Sequence, residues 1–359
     1  MEEICDPLAK LFLELTVNFE ELIQKMSDTS QYYPNIGALV QDESIRRSLF
    51  ESSKAIVGSF KITSLETTED LDHSYDSPAF CIVTGFQCNT DCPVAMETDG
   101  IAGTLALSKS LIGLSGMDVL ILTDDRCCKI LEQIVEDVFP TLRHKIYVIG
   151  FPPTISWTSS QDAKLKRILS CVKHIISIER PGQAKDGCYY TMNGKNISCC
   201  TANFDSLFLW AFDKSNIKTT AIGDRGNELG MGKLASRVGN AIPNGHTIGC
   251  VTKADFTIVA GISDWGAYAL AASIIWYYFV IEKNSWFLAK DGFSNAYTTI
   301  KEEKDVAASL QKHGVCDAMS LEANQHVDGY PLAHNLWIHA EMRRLAEQMI
   351  KTIESIRAI

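Results

Sequence analysis

Acidic side chains recur directly after short apolar, β-branched runs of this chain, as they would at the ligand-binding edge of a parallel sheet. The acids in question are Asp99, Asp124, Glu179 and Asp224. Carboxylates that converge on one pocket can hold Mg²⁺ or Mn²⁺ through oxygen ligands, or act as a general base. We therefore expect a small-molecule site at this edge. For any single acid the alternative is a helix N-cap.

The segment IGDRGNELGMGK, residues 222–233, combines four glycines with Asp224, Asn227 and Glu228. It is not a P-loop, because its Gly-Lys step is followed by Leu, and its glycine intervals do not fit the dinucleotide fingerprint. Its glycines permit close backbone approach, its amide N–H groups can face an anion, and its two acids can bind an amine or a metal. We expect a small-molecule loop and no nucleotide; the alternative is a structural turn.

Two further loops carry candidate binding groups. The tetrapeptide ETDG at 97–100 precedes an apolar helix at 102–114, whose N-terminus could hold a substrate carboxylate, unless Asp99 is simply its N-cap. Arg180 follows the fourth run and can bind a carboxylate bidentately through its planar guanidinium. It could equally pair with an acid of its own loop.

The short apolar, β-branched runs that precede these loops alternate with helical patterns from residue 78 onward. They are residues 79–84, 119–123, 146–149, 174–178, 219–222 and 257–262. This alternation predicts an α/β fold, a doubly wound, mainly parallel sheet with helices on both faces. Apolar residues at helical spacing after Asp6-Pro7 predict a helical N-terminal segment, residues 1–77, packed on an α/β domain of residues 78–359.

One apolar stretch, residues 256–281, is as long as a membrane span. It contains Asp264 beside Gly266, however, and a carboxylate with a chain break is costly in hydrocarbon. We therefore predict a buried strand followed by a core helix that begins at Gly266.

The amino-acid composition limits the classes of partner that this chain is expected to bind. The 359 residues carry 33 basic and 44 acidic side chains, a net charge of −11 that disfavours nucleic acid and anionic membranes. The 12 cysteines include no Cys-x-x-Cys pair, which favours reduced thiols. The acidic start of the chain lacks the pattern of a targeting segment, so we expect a cytoplasmic protein. A homo-oligomer is left open.

Taken together, these motifs resemble the C-terminal domain of the D-glutamate cyclase family. The matching segments, in the same order, are TGF at 84–86 with ETDG at 97–100, ERPG at 179–182 with DG at 186–187, GD at 223–224 with GNELGMG at 226–232, and Ser263 with WGAY at 265–268. The resemblance runs from about Leu8 to Ile350. Two positions depart from the family pattern: Arg225 stands where Gly is usual, and Asp264 where Asn is usual. Both departures change the charge at the candidate site.

The resemblance implies a lyase that converts D-glutamate to 5-oxo-D-proline and water. It also implies a mitochondrial enzyme with a further, hydro-lyase-like N-terminal domain, which we do not expect here. The reaction needs a general base for the substrate amine and a cation or proton on its γ-carboxylate. The alternative is a non-catalytic protein that binds an amino dicarboxylate, a reading that Arg225 and Asp264 favour.

These considerations assign roles to individual residues. The predicted catalytic residues are Glu179 as base, Asp224 and Glu228. The predicted Mg²⁺ or Mn²⁺ ligands are Asp99, Asp124, Asp224 and Glu228. The predicted substrate-binding residues are Thr84, Gly85, Thr98, Asp99, Gly100, Arg180, Gly182, Asp186, Gly226, Asn227, Gly230, Ser263, Asp264 and Trp265. Arg180 and the loop amides would clamp a substrate carboxylate.

Overall fold

The structure, a computed structural model, describes residues 43–60, 80–88, 94, 96–214, 216–282 and 292–357. The helix predicted after Pro7 lies outside these residues, so the proposed division at residue 77 stays a prediction. The first described helix, α1 (Glu43–Ser59), is amphipathic and packs against the last strand of the sheet and a long core helix. No disulfide joins the described cysteines.

Six parallel strands form one sheet in the order β3-β2-β1-β4-β5-β6. They are β1 (Phe80–Thr84), β2 (Val119–Asp124), β3 (Ile146–Phe151), β4 (His174–Ile178), β5 (Lys218–Gly223) and β6 (Phe256–Val259). All six predicted runs are confirmed, with ends displaced by at most three residues. The strands are nearly continuous runs of buried apolar side chains because both faces of the sheet are covered.

Helices cover the two faces. They are α2 (Ile101–Ser115), α3 (Asp125–Val138), α4 (Ser159–Cys171), α5 (Asp205–Phe212), α6 (Ala235–Ala241), α7 (Gly245–Ile248), α8 (Ser263–Glu282), α9 (Gly292–Ala296), α10 (Ile300–Lys312) and α11 (Leu332–Arg357). Successive strand residues enter opposite cores: Ile82 packs in the core formed with α2, α3 and α8, and Val83 in the core formed with α4 and α5. The doubly wound prediction is confirmed.

Helix α8 is the long apolar segment, and it is buried against α2 and α11. It begins at Ser263, three residues before the predicted start, because a carboxylate from another loop accepts its first backbone N–H groups. Asp99 receives the N–H of Ser263 and the N–H of Asp264, both at 2.9 Å. Within the part of the chain that the structure describes, no helix is long and apolar enough to span a bilayer.

The strand order reverses between β1 and β4, and the loops that leave their carboxyl ends diverge there. A two-stranded hairpin, β7 (His326–Val327) and β8 (Tyr330–Pro331), lies beside this point. Its turn residues, Asp328 and Gly329, have φ values of 52° and 78°, as a type I′ turn requires. The hydroxyl of Thr98 donates to the carbonyl of His326 at 2.9 Å, which ties the hairpin to the β1 loop.

Candidate functional site

The loops after β1 and β4 approach each other unusually closely. Gly100 has a φ of 86°, and a Cβ at this position would lie 2.6 Å from the Cβ of Glu179. Glu179 itself has a φ of 43°, a conformation that costs about 1–3 kcal/mol for a residue other than glycine. Backbone strain of this kind concentrates at ligand sites, where the surrounding structure maintains it.

Three buried carboxylates from three loops meet at this position. One oxygen each from Asp99, Glu179 and Asp224 lies within 4.8 Å of the other two. These residues follow β1, β4 and β5, whose carboxyl ends share one edge of the sheet. We call this group the carboxylate triad. Three oxygen donors at such separations are suited to a hard divalent cation.

The triad members differ in their hydrogen bonds. Both oxygens of Asp99 accept backbone N–H groups, including that of Gly100 at 2.7 Å. Oε2 of Glu179 accepts the hydroxyl of Ser263 at 2.5 Å. Asp224 is buried and accepts no backbone N–H or hydroxyl group of the described residues; its contact is an ion pair with Arg225, whose Nη1 lies 2.7 Å from Oδ2. Asp224 is therefore the triad member whose oxygens are least committed to the fold.

More carboxylates surround the triad, and their proximity raises the pKa of several members. Burial, followed by the charge of Asp328, raises the pKa of Asp99 to about 7. Burial and then Glu228 raise the pKa of Glu179 well above its usual value. Burial raises that of Asp224 well above its usual value too, against the opposing influence of Arg225. The cluster therefore favours protons or a cation.

The side chain of Glu228 is hydrogen-bonded to the backbone of the loop that carries it. Its carboxylate accepts the backbone N–H of Arg225 at 2.9 Å and that of Gly226 at 2.6 Å. The neighbouring Asn227 donates through Nδ2 to the carbonyl of Tyr190 at 3.0 Å. Two of the amides predicted to face an anion are thus bound by a side chain of the chain itself, and we revise Glu228 from a metal ligand to a residue that shapes the loop.

Arg180 and Asp124 form a closed ion pair. The guanidinium contacts both oxygens of Asp124, at 2.5 and 2.8 Å, and donates to the carbonyls of Gly85 and Ala202. Asp124 also accepts the N–H of Ala202 at 2.7 Å, and the Arg180 side chain is 0% exposed. The structure therefore gives both residues a structural role, in place of the predicted carboxylate clamp and metal ligand.

The arginine that contacts the acids around the triad is Arg225, not Arg180. Its Nη1 lies 2.7 Å from Oδ2 of Asp224 and 2.5 Å from Oδ2 of Asp328. Asp328, in the turn of the β7–β8 hairpin, was not among the predicted site residues, and neither was Glu97. Glu97 is buried beside them, and burial followed by the charge of Asp328 raises its pKa. The Asp-Gly step at 328–329 was a hairpin signal in the sequence, but nothing local to it indicated a site 100 residues away.

Some of the remaining predicted residues lie in the loops that frame the site, and others lie in the helical layer or on the surface. Asp264 accepts the N–H of Gly103 at 2.6 Å and so joins α8 to α2. Trp265 donates to Asn335 at 2.7 Å, within the helical layer. Asp186 is exposed and bonded to Tyr190 and Cys188, and is not part of the carboxylate cluster. Thr84, Thr98, Gly182 and Gly230 are buried in the loops that frame the site.

The site lies inside a region that resembles known proteins. A family model described as D-glutamate cyclase-like, C-terminal, matches residues 38–343. The human (Homo sapiens) protein D-glutamate cyclase, mitochondrial, is 34% identical over 279 residues, which are 73% of this chain and 44% of the relative. The chain thus spans less than half the length of that relative. With its doubly wound sheet and the matched loops around the triad, the chain belongs to the D-glutamate cyclase-like family.

Proposed function

We propose that this chain is a lyase that cyclises D-glutamate to 5-oxo-D-proline with release of water. The observation that carries the proposal is the buried carboxylate triad at the strand-order reversal, in a chain of this family. Open α/β sheets bind their ligands at this place. The reaction forms a bond between the α-nitrogen and the γ-carboxyl carbon, breaks one carbon–oxygen bond of that carboxyl, and releases water.

The triad fits a divalent cation, Mg²⁺ or Mn²⁺. Its three oxygens lie within 4.8 Å of one another, and the positive charge at the triad, that of Arg225, is shared between Asp224 and Asp328. The excess of buried carboxylates over positive charge is costly unless a cation or a proton neutralises it. A bound ion would supply positive charge for the γ-carboxylate of the substrate.

Glu179 is the general base in this proposal. Its carboxylate is itself a triad member and accepts the hydroxyl of Ser263, so Asp99 and Asp224 would be the principal ligands of the ion. Burial and the surrounding acids raise its pKa, so that the group can relay, one at a time, the two protons that the substrate ammonium loses to the oxygen that departs as water. Glu179 carries this carboxylate on a left-handed backbone conformation, with a φ of 43°.

A second candidate is a protein that binds an amino dicarboxylate without turning it over. The observation in its favour is that much of the acid cluster is occupied by the fold itself. The carboxylates of Asp99, Glu228 and Asp264 all accept backbone N–H groups. Under this reading, the triad and Arg225 would recognise a ligand, and catalysis would need a further domain.

The proposed partner is a small molecule, without nucleic acid or membrane, and a homo-oligomer is compatible with it. The compartment that we propose for this chain is the cytoplasm. The name of the human relative gives the mitochondrion for that protein.

The decisive experiment incubates the purified chain with D- or L-glutamate, with Mn²⁺, Mg²⁺ or EDTA, and follows 5-oxoproline by chiral chromatography. We expect product from D-glutamate that depends on the metal and is lost in Asp224→Asn. The matched control is Asp186→Asn, an acid outside the cluster, which should retain turnover. If no product forms while D-glutamate raises the melting temperature, the binding function replaces the catalytic one.

A further inference from the structure

Arg225 places one positive charge against two carboxylates of different origin. Asp224 belongs to the triad and follows β5, whereas Asp328 comes from the β7–β8 hairpin. The guanidinium nitrogen Nη1 contacts both, at 2.7 and 2.5 Å. The Arg225 side chain is 16% exposed, while those of Asp224 and Asp328 are 1% and 2% exposed. The guanidinium is thus the more accessible member of this group.

The two contacts of Arg225 are not equivalent. The turn that carries Asp328 is fixed by Asp317, which accepts the N–H of Gly329 at 2.8 Å and that of Ser320 at 2.8 Å. Asp224, by contrast, is also a member of the triad, and Arg225 is its charge partner at 2.7 Å. Asp328 is therefore placed by the hairpin, whereas Asp224 can exchange its contact with Arg225 for an ion on the triad.

A divalent cation on the triad would change the balance of charge around Arg225. Oxygens of Asp224 would then serve the ion, and the ion would repel the guanidinium that lies 2.7 Å from one of them. The guanidinium would keep Asp328 and gain a position beside the ion. Without the ion, the surrounding acids repel an incoming carboxylate; with it, both positive charges attract one.

We propose that Arg225, held by Asp328, is the carboxylate-binding residue of this site, and that it binds its ligand cooperatively with a divalent cation on the triad. The ligand class is a small dicarboxylate, of which one carboxylate takes the planar guanidinium bidentately. The inference rests on the proposed metal site and adds the residue that recognises the substrate. Coupling between two ligands is reciprocal, so each must tighten the other by the same factor.

The test measures Mn²⁺ binding to the full chain by calorimetry, with and without glutarate, which has two carboxylates but no amine and cannot cyclise. We expect glutarate to tighten Mn²⁺ binding about tenfold, and Mn²⁺ to tighten glutarate binding equally. In Arg225→Gln the coupling should fall to about one, while Mn²⁺ alone binds more tightly because a repelling charge is gone. Arg225→Lys, which keeps the charge without the planar fork, should retain only part of the coupling.

The control is Arg344→Gln, a surface arginine of α11 paired with Glu341, which should keep the full coupling. Circular dichroism verifies that each variant is folded, and the wild-type titration tests the inference without any variant.

Absence of coupling in the wild type, or full coupling in Arg225→Gln, would overturn the inference. If 5-oxoproline forms without coupling, only this inference fails. If coupling occurs without product, the inference stands and the catalytic proposal fails. Absence of Mn²⁺ binding to the wild type overturns both this inference and the proposed metal site.

Discussion

Two arginines enter the carboxyl edge of the sheet, and their surroundings differ in charge balance. Arg180 contacts a single carboxylate, that of Asp124, together with two backbone carbonyls. Arg225 lies between Asp224 and Asp328, in a cluster where acids outnumber it. Both pairs are buried, so burial alone does not distinguish a structural ion pair from one that belongs to a site.

The two arginines differ in the charge that remains unbalanced around them. Around Arg180 and Asp124, both carboxylate oxygens accept hydrogen bonds and one positive charge faces one negative charge, so the pair offers a ligand no surplus charge. Around Arg225, burial and then the excess of negative charge raise the pKa of neighbouring acids such as Glu179, and Asp224 and Asp328 share one guanidinium nitrogen. A balanced buried pair holds structure, whereas an unbalanced cluster is suited to binding.

The largest expected effect comes from breaking the balanced pair. Asp124→Asn leaves the guanidinium of Arg180 buried without its counter-charge, which should lower the free energy of unfolding by about 3–5 kcal/mol. Urea denaturation measures this loss. The Mn²⁺ affinity of the folded variant should stay unchanged. A large loss of Mn²⁺ affinity with little loss of stability would return Asp124 to the metal ligands that the sequence suggested.

The opposite result is expected for Asp224→Asn. Removing a triad oxygen should lower Mn²⁺ affinity and product formation by about a hundredfold or more, since even residues that only support metal ligands cost 10–100-fold. The free energy of unfolding should change little or rise, because the variant removes one of several like charges. The same denaturation and calorimetry experiments measure both quantities. Severe unfolding would instead show that Asp224 is structural.

The acid cluster also predicts a pH dependence of stability. Burial and Asp328 raise the pKa of Asp99 from 3.8 to about 7 in the folded chain, so the folded state holds a proton there that the unfolded state has lost. This contribution to stability is fully present below about pH 4 and is lost as the pH rises through 7. The free energy of unfolding should decrease by about 1.4 kcal/mol per pH unit for each group that titrates within this window.

Denaturation between pH 5 and 8 measures this slope, and 1 mM Mn²⁺ should flatten it by binding the deprotonated cluster. Asp186→Asn is the control. The hydrogen bond from Tyr190 lowers the pKa of Asp186 below its ordinary value of 3.8, so its contribution is lost only as the pH falls below about 4. The control variant should therefore keep the wild-type slope. Stability that rises across this window would contradict the assignment.

The smallest expected effect is at Asp186, which the sequence placed among the substrate-binding residues and the structure places on the surface. Asp186→Asn should leave the KM for D-glutamate and the Mn²⁺ affinity within a factor of about two, as is usual for surface changes. Steady-state kinetics measures the first and calorimetry the second. A KM raised tenfold would show that the loop at 183–190 closes over the ligand.

The positions of the strands along the chain, and of the acids that follow them, could be predicted from the sequence because both are local properties. Buried parallel strands need continuous apolar runs, and the residues that follow them, such as Asp99 and Asp224, must leave the sheet at one edge. The start of α8 was misplaced because the group that caps it, Asp99, lies more than 160 residues earlier. Asp328 was missed for the same reason.

What the sequence determined by itself is the doubly wound sheet, the edge at which the loops converge, and the family, because these depend on periodicity and on motifs read along the chain. Only the tertiary structure decided which acids meet and which are already bonded. Arg180 and Arg225 are each directly preceded by an acid in sequence, Glu179 and Asp224, and nothing in that spacing distinguishes them. The fold pairs Arg180 completely with Asp124 and leaves Arg225 among surplus carboxylates, because the balance of charge depends on partners that the chain brings from distant loops.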